Sequence, residues 1–253
     1  MHTYTRIEED ELAVLSQYFG LTAQAAPFLG RSVPIIQFLD KDLCAVQLAE
    51  LTDSFQFPSQ VIAASQFSKR YAFIVANSGL YAMTMYNKGL DYCLEESCFE
   101  WSADKTGVFN ARISKMRGFQ PVSGKREQWR DDVIRRLFAG QITPVLHALS
   151  KAVRAPLPML WENVAVRVFS LYEKRLLGAE NKGNSYIQED YNYLIHHAPG
   201  ALFGEKVNPL AKFYKPPVLS ESSTSSVRIR QTCCQYYKIS STNKYCSNCP
   251  LLQ

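Results

Sequence analysis

The feature that most limits how this chain can fold is a group of four cysteines near its C-terminus. Four of the seven cysteines lie between residues 233 and 249, as a vicinal pair, an eleven-residue spacer and a Cys-x-x-Cys pair. Neighbouring Cα atoms are about 3.8 Å apart, whereas disulfides usually join Cα atoms about 4.4–6.8 Å apart, so Cys233 and Cys234 are poor partners for each other. Clustered thiols of this kind are typical of a site for a metal ion or an iron–sulfur cluster.

The N-terminus bears on the redox state of these thiols. Residues 1–10 contain neither the apolar h-region nor the small-residue cleavage site of a signal peptide. We therefore expect a cytoplasmic protein with reduced thiols, at most peripherally associated with the inner face of the cell membrane. The longest apolar stretch, residues 71–86, falls short of the about 20 residues that span a bilayer. It is interrupted by Asn77, Ser78 and Gly79, which predicts two buried helices.

Spacing alone leaves zinc and iron open. A structural zinc site usually takes two Cys-x-x-Cys pairs, and adjacent cysteines have little freedom to direct both sulfurs at one ion. An iron–sulfur cluster takes four thiolates over a wider frame. The zinc alternative is a non-enzymatic module that binds nucleic acid or a protein, with tyrosines near the cysteines stacking on bases. A net charge of +5 over 253 residues, without a concentrated run of Lys and Arg, argues against nucleic acid.

The cysteine pattern resembles the C-terminal signature of the FhuF-type siderophore-iron reductases. That signature is Cys-Cys, about ten residues, Cys-x-x-Cys and then proline, and the spacer here is one residue longer. Residues 64–71, 161–165 and 208–210 also resemble segments of that family, so the resemblance extends over nearly the whole chain, with the tail as its specific part.

The resemblance implies a cofactor and an activity. Cys233, Cys234, Cys246 and Cys249 would ligate a [2Fe–2S] cluster. The activity would be that of an iron–sulfur oxidoreductase, which reduces Fe(III) in imported ferric siderophores by one electron and releases Fe(II). The substrate would be a siderophore of the hydroxamate or mixed carboxylate-hydroxamate type. The sequence contains no nicotinamide- or flavin-binding motif, so we expect a separate electron-donor protein, such as a ferredoxin or flavoprotein.

Charged and aromatic side chains near the cysteines are candidates for tuning the cluster. From residue 215 to the end, five cations accompany one anion, and cations stabilise the more negative, reduced cluster. The residues predicted to surround the cluster without ligating it are Arg228, Arg230, Lys244 and Tyr245.

A siderophore presents apolar arms and oxygen atoms, which suit aromatic rings and cations. By residue type, the predicted substrate contacts are Arg70, Trp101, Arg112 and Trp161. The alternative for Trp161 is a place in the core, because it lies in an amphipathic helix pattern.

The pattern of apolar residues predicts an α+β fold that is predominantly α-helical. Residues 1–214 would form a mainly helical body with a β insertion near 89–116, residues 215–226 a linker, and residues 227–253 a cluster-binding module packed on the body. The predicted strands are 90–101 and 108–115, as an antiparallel hairpin, and 227–231. The predicted helices are 8–19, one capped near residue 40, 58–76, 79–87, 126–139, 142–153, 159–177 and 186–197.

Overall fold

The computed structural model describes residues 2–23, 30–102, 109–113, 116–177, 183–219, 226–239 and 244–252. Its architecture confirms the predicted α+β fold, in which helices predominate. The α-helices are α1 (Glu9–Phe19), α2 (Lys41–Phe55), α3 (Gln60–Tyr71), α4 (Asn77–Met85), α5 (Arg126–Leu137), α6 (Thr143–Val153), α7 (Leu157–Ser170), α8 (Tyr186–Asn192) and α9 (Pro209–Phe213). The strands are β1 (His2–Thr5), β2 (Leu21–Thr22), β3 (Arg31–Pro34), β4 (Gly89–Asp91), β5 (Ser97–Trp101), β6 (Phe109–Ile113), β7 (Arg117–Pro121), β8 (Val218–Leu219) and β9 (Ser226–Val227).

The first two helices begin and end where local sequence signals place them. Helix α1 ends at Gly20, whose backbone is left-handed at φ 78° and donates to carbonyls of the last turn. The Asp40 carboxylate caps α2 by accepting the backbone N–H groups of Asp42 at 3.0 Å and Leu43 at 2.9 Å. Both helix boundaries were predicted, because a cap depends only on neighbouring residues.

The predicted break between two helices at Gly79 is wrong. Helix α3 continues through a π-helical turn, Ala72–Ala76, directly into α4. Ser78 Oγ donates to the Ile74 carbonyl at 2.5 Å, and a Cβ on Gly79 would lie 2.9 Å from Leu137 Cδ2. The small residues therefore mark close packing against α5. Among the described residues, no helix combines the length and apolar character needed to cross a membrane.

A second predicted break, between residues 139 and 142, is also absent. Helix α5 passes into α6 through another π-helical turn, Phe138–Ile142. Gln141 and Ile142 are both buried there, so tertiary packing holds the chain helical past Gly140.

The predicted hairpin is correct in part. Strands β5 and β6 pair antiparallel, from Ser97 opposite Ile113 to Trp101 opposite Phe109. Strand β4 leaves this sheet to pair with β7, giving one sheet in the order β1-β7-β4 and another in the order β2-β6-β5-β3. The short strands β1, β2 and β3 were not predicted, since runs of two to four residues show no periodicity. The hairpin loop, residues 103–108, lies outside the described residues.

Helices α3 and α7 pack against each other in the core of the protein. Helix α3 packs against α2, α6 and α7, and the small buried side chains of Ala63, Ala64 and Ala165 suit close approach of the helices. Side chains of both helices contact the C-terminal tail, which is defined here as residues 226–239 and 244–252.

The tail is not a long strand. The predicted strand 227–231 extends only to Val227, where β9 pairs antiparallel with β8. Beyond it, the backbone N–H groups of Arg230 and Gln231 donate to Asn248 and to the Glu162 side chain, so they cannot join a sheet. Residues 220–225 of the predicted linker lie outside the described residues. The division into body, linker and module stays a prediction.

Candidate metal centre

A buried carboxylate on α7 fixes the start of the tail. Glu162, which is only 1% exposed, accepts the backbone N–H groups of Gln231 at 2.6 Å and Thr232 at 2.7 Å, and the Thr232 hydroxyl. Its oxygen also lies 3.6 Å from Arg230 Nε. A carboxylate buried this deeply needs such donors and a positive partner, because water no longer solvates its charge. Glu162 therefore ties the segment immediately before the cysteines to the body.

A chain of hydrogen bonds joins the tail to both central helices. Arg230 Nη2 donates to Asn163 Oδ1 at 2.7 Å. Asn163 Nδ2 in turn donates to the Ser65 carbonyl at 3.0 Å and to Ser68 Oγ at 2.9 Å. This network satisfies buried polar groups of α3, α7 and the tail together.

Helix α3 contacts Cys234 directly. Ser65 Oγ donates to the Cys234 carbonyl at 2.9 Å, and Gln66 Nε2 donates to the same oxygen at 3.1 Å. Lys69, one helical turn beyond Ser65, places its Nζ 3.5 Å from Cys234 Sγ. The helix thus holds both the backbone and the sulfur of Cys234.

At this contact, Cys234 and Cys246 are the two tail cysteines whose sulfur atoms lie closest together. Cys234 Sγ lies 3.9 Å from Cys246 Sγ, and the Gln235 backbone N–H donates to Cys233 Sγ at 3.3 Å. The Cys249 N–H donates to the Cys246 carbonyl at 3.1 Å, which closes the Cys-x-x-Cys turn. Cys234 and Cys249 are buried, and the other two are half-buried. Within the described ranges, no three His, Cys, Asp or Glu side chains form a group that could hold a metal ion.

The environment favours thiolate at Cys234. The hydrogen bond between Cys234 and Cys246 and the positive charges of Lys69 and Arg230 lower the pKa of Cys234, against the opposing effect of burial. That same hydrogen bond, followed by burial, raises the pKa of Cys246. Burial raises the pKa of Cys233, while the Gln235 N–H acts in the opposite sense.

The donor set fits an iron–sulfur cluster chemically. Four thiols supply the ligands of a [2Fe–2S] cluster, and nearby cations and N–H groups stabilise sulfur that carries negative charge. Lys69, Arg230 and the Gln235 N–H provide both kinds of group.

The residues predicted to surround the cluster occupy different places. Arg230 is 4% exposed and acts on Cys233 and Cys234 through its charge. Arg228 instead pairs with Glu173 and lies over the Tyr214 ring, 4.2 Å from its centroid. Tyr245 is 39% exposed and stacks on Tyr237 with ring centroids 5.0 Å apart, and Lys244 is exposed. Their roles around the cluster stay predictions.

A cavity of about 610 Å³ lies between α7 and the tail, and Cys246 is part of its wall. The predicted substrate contacts Arg70, Trp101, Arg112 and Trp161 are not among its lining residues.

The four predicted substrate contacts make other interactions. Trp101 is 1% exposed, and Trp161 is 4% exposed with its Nε1 donating to Glu205, so most of both rings is buried. Arg112 Nε donates to Glu100 at 2.8 Å, and Arg70 lies over the Phe109 ring. Both tryptophan rings pack in the core, and the roles of all four residues as substrate contacts stay predictions.

The side chains of the body that hold the tail were not predicted from the sequence. They are Ser65, Gln66 and Lys69 on α3 and Glu162 and Asn163 on α7. The available signal was the resemblance of residues 64–71 and 161–165 to segments of the reductase family, which contain all five.

Comparison with protein families gives a match over the tail. Residues 230–251 match the family described as FhuF 2Fe-2S C-terminal domain, and this range contains all four cysteines of the tail. No curated protein matches the chain. The match confirms the resemblance to FhuF-type siderophore-iron reductases and indicates, in general terms, an iron–sulfur reductase. Residues 230–251 are thus similar to a FhuF-type domain, and the match indicates a [2Fe–2S] cluster as the cofactor.

Proposed function

We propose that Cys233, Cys234, Cys246 and Cys249 hold the [2Fe–2S] cluster and that the protein reduces Fe(III) in imported ferric siderophores by one electron, in the cytoplasm. The observation that carries this proposal is the family match over residues 230–251, which contains all four thiols. The contacts of Cys234 with α3, its sulfur–sulfur approach to Cys246 and the hydrogen bond from Gln231 to α7 support it.

The chemistry of iron explains why one electron is enough. Hydroxamate and carboxylate oxygens are hard donors that bind Fe(III) much more tightly than Fe(II). Reduction therefore weakens the complex and releases Fe(II) without breaking a bond of the chelator. When bound, the cluster supplies single electrons, which suits this change.

The protein's own residues position and shield the site. Glu162 and Asn163 anchor the segment before Cys233, and Ser65 holds the Cys234 backbone. Burial of Cys234 and Cys249 limits access of water and oxygen to their sulfurs. The electrons come from a separate donor, a ferredoxin or flavoprotein, since the sequence contains no nicotinamide or flavin motif.

The test is visible absorption and EPR spectroscopy of protein purified without oxygen, before and after dithionite. We expect a coloured protein whose EPR signal appears only after reduction. The reduced protein should then be reoxidised by ferric siderophores, with Fe(II) trapped by a colorimetric chelator. A colourless protein with one zinc per chain would contradict the proposal.

Substitution of the ligands tests their assignment. Cys234→Ser and Cys246→Ser should lose or distort the visible spectrum and lose siderophore reduction, because a hydroxyl is a poor cluster ligand. Cys93→Ser is the control, since Cys93 is half-buried in a turn and contacts Glu95. A Cys234→Ser variant with an unchanged spectrum and full activity would remove Cys234 from the ligand set.

A further inference from the structure

The cavity beside Cys246 is strongly cationic. Glu173 is the single carboxylate among its described lining residues. The cations that line it are Lys69, Arg167, Lys174, Arg228 and Arg230. Its volume of about 610 Å³ falls in the range of roughly 300–1,000 Å³ that small-molecule sites occupy.

Several of these cations already have partners. Arg230 is paired with Glu162, Arg228 is paired with Glu173, and Lys69 lies beside Cys234. Each of these three cations thus has a partner in the protein, although Arg228 keeps two nitrogen atoms without an acceptor.

Arg167 and Lys174 have no carboxylate partner within the described part of the chain. Arg167 Nε is buried without a hydrogen-bond acceptor, and so are Nε and Nη1 of Arg228. Burial, followed by the positive charges of Arg70 and Arg230, lowers the pKa of Arg167, which shows that its environment disfavours the charge. Buried guanidinium groups without acceptors are costly, and a bound anion would relieve that cost.

Building on the proposed function, we infer that this cavity is the siderophore-binding site and that it selects an anionic ferric complex with free carboxylates over a neutral trihydroxamate complex. Guanidinium groups bind carboxylates through paired hydrogen bonds, which places Arg167 and Arg228 in a recognition role. The rings of Phe169 and Tyr214 supply apolar surface for the arms of the chelator. Cys246 in the wall brings the bound complex next to a proposed cluster ligand.

Gallium(III) complexes separate binding from reduction, because Ga(III) has the charge of Fe(III) but does not accept the electron. Calorimetric titration of the holoprotein would use the Ga(III) complex of a dihydroxamate with free carboxylates and that of a neutral trihydroxamate. We expect the anionic complex to bind at least about tenfold more tightly, with an affinity that falls as salt rises.

Variants that remove a positive charge test whether the cavity causes the preference for the anionic complex. Arg167→Gln and Lys174→Gln should each weaken binding of the anionic complex by about tenfold, while changing the neutral complex by less than about twofold. Lys151→Gln is the control, because Lys151 is exposed on α6 and does not line the cavity. Lys174 is also exposed, so its variant keeps the test valid if Arg167→Gln fails to fold.

The outcomes distinguish the two proposals. Equal affinity for the anionic and the neutral Ga(III) complex would overturn the inference, even if ferric siderophores are reduced. So would equal affinity of the Lys174→Gln and Lys151→Gln variants for the anionic complex. Charge-selective Ga(III) binding that weakens in the variants would support the cavity assignment. If the holoprotein nonetheless fails to reduce the matching ferric complex, the proposed function is at fault.

Discussion

At the scale of single residues, Lys69 is the side chain of the body that most directly opposes the charge of the thiols. Its Nζ lies 3.5 Å from Cys234 Sγ and 5.1 Å from the centroid of the Tyr236 ring. Burial lowers the pKa of Lys69, and the negative charge of Cys234 acts in the opposite sense. A [2Fe–2S] cluster with four thiolates carries a charge of −2, which becomes −3 on reduction, so a nearby cation stabilises the reduced form more.

Replacement of Lys69 by methionine should therefore lower the reduction potential of the cluster. A unit charge about 5 Å away at an effective dielectric constant of about 20 contributes about 3 kcal/mol, or on the order of 100 mV for one electron. Redox titration followed by EPR would measure the shift. Lys151→Met is the matched control and should leave the potential unchanged. A Lys69→Met potential equal to that of the wild type would show that this charge does not act on the cluster.

The sequence revealed the four cysteines but not Lys69. The cysteines share a short segment with a recognisable spacing, whereas Lys69 and Cys234 are separated by 165 positions. A lysine near the end of a helix pattern also suits helix capping, so residue type alone does not select it.

At the scale of elements, α3 and α7 act as the support on which the tail lies. Glu162 on α7 receives two backbone N–H groups and a hydroxyl of the tail, and Ser65 on α3 receives the Asn163 amide and donates to Cys234. Helical periodicity predicted both helices, because their buried faces repeat. The polar residues that bind the tail interrupt that periodicity, and their hydrogen-bond partners cannot be predicted from the sequence alone.

Loss of the Glu162 carboxylate should release the tail. Glu162→Ala leaves Arg230 buried without its partner and two N–H groups without an acceptor, and breaking a buried ion pair typically costs about 3–5 kcal/mol. We expect faster tryptic cleavage within the tail and faster loss of the cluster, followed by gel electrophoresis and visible absorption. Glu9→Ala is the control, because the Glu9 side chain is 92% exposed and its pair with Arg6 should contribute little. Equal cleavage rates in the two variants would contradict the anchoring role.

Substitution of two glycines tests why the helices continue at the two positions where breaks were predicted. A Cβ on Gly79 would press on Leu137, so Gly79→Ala should destabilise the fold by about 1–3 kcal/mol. A Cβ on Gly140 meets nothing closer than 3.8 Å, so Gly140→Ala should be neutral or stabilise by up to about 1 kcal/mol. Urea denaturation would measure both free energies of unfolding. Equal effects at the two positions would show that packing against Leu137 is not the reason for Gly79.

At the scale of the whole molecule, the apolar core and the metal centre are built from different parts of the chain. The core extends from Ile7 to Phe213 and, among the described residues, includes none from the tail. The tail contributes cysteines, cations and polar contacts to the surface of this core. The stability of the body should therefore not depend on the tail.

Removal of residues 218–253 should leave a folded body that binds no cluster. We expect helical far-UV circular dichroism and a cooperative thermal transition close to that of the full chain, since water can solvate Glu162 and Asn163 once the tail is absent. The full chain is the reference. A truncated chain without a cooperative transition would show that the tail is required for folding, and it would contradict the predicted division into body, linker and module.

The sequence by itself determined the features that depend on near neighbours. These are the four-cysteine pattern and its resemblance to a family, the helical character of the body, a helix cap near residue 40 and the cap at Gly20. Only the tertiary structure decided that α3 and α7 receive the tail, that Trp101 and Trp161 belong to the interior, and that a cationic cavity lies beside Cys246. The physical reason is distance along the chain. Buried charges and hydrogen bonds join residues that are far apart in sequence, and periodicity and spacing describe only residues that are close together.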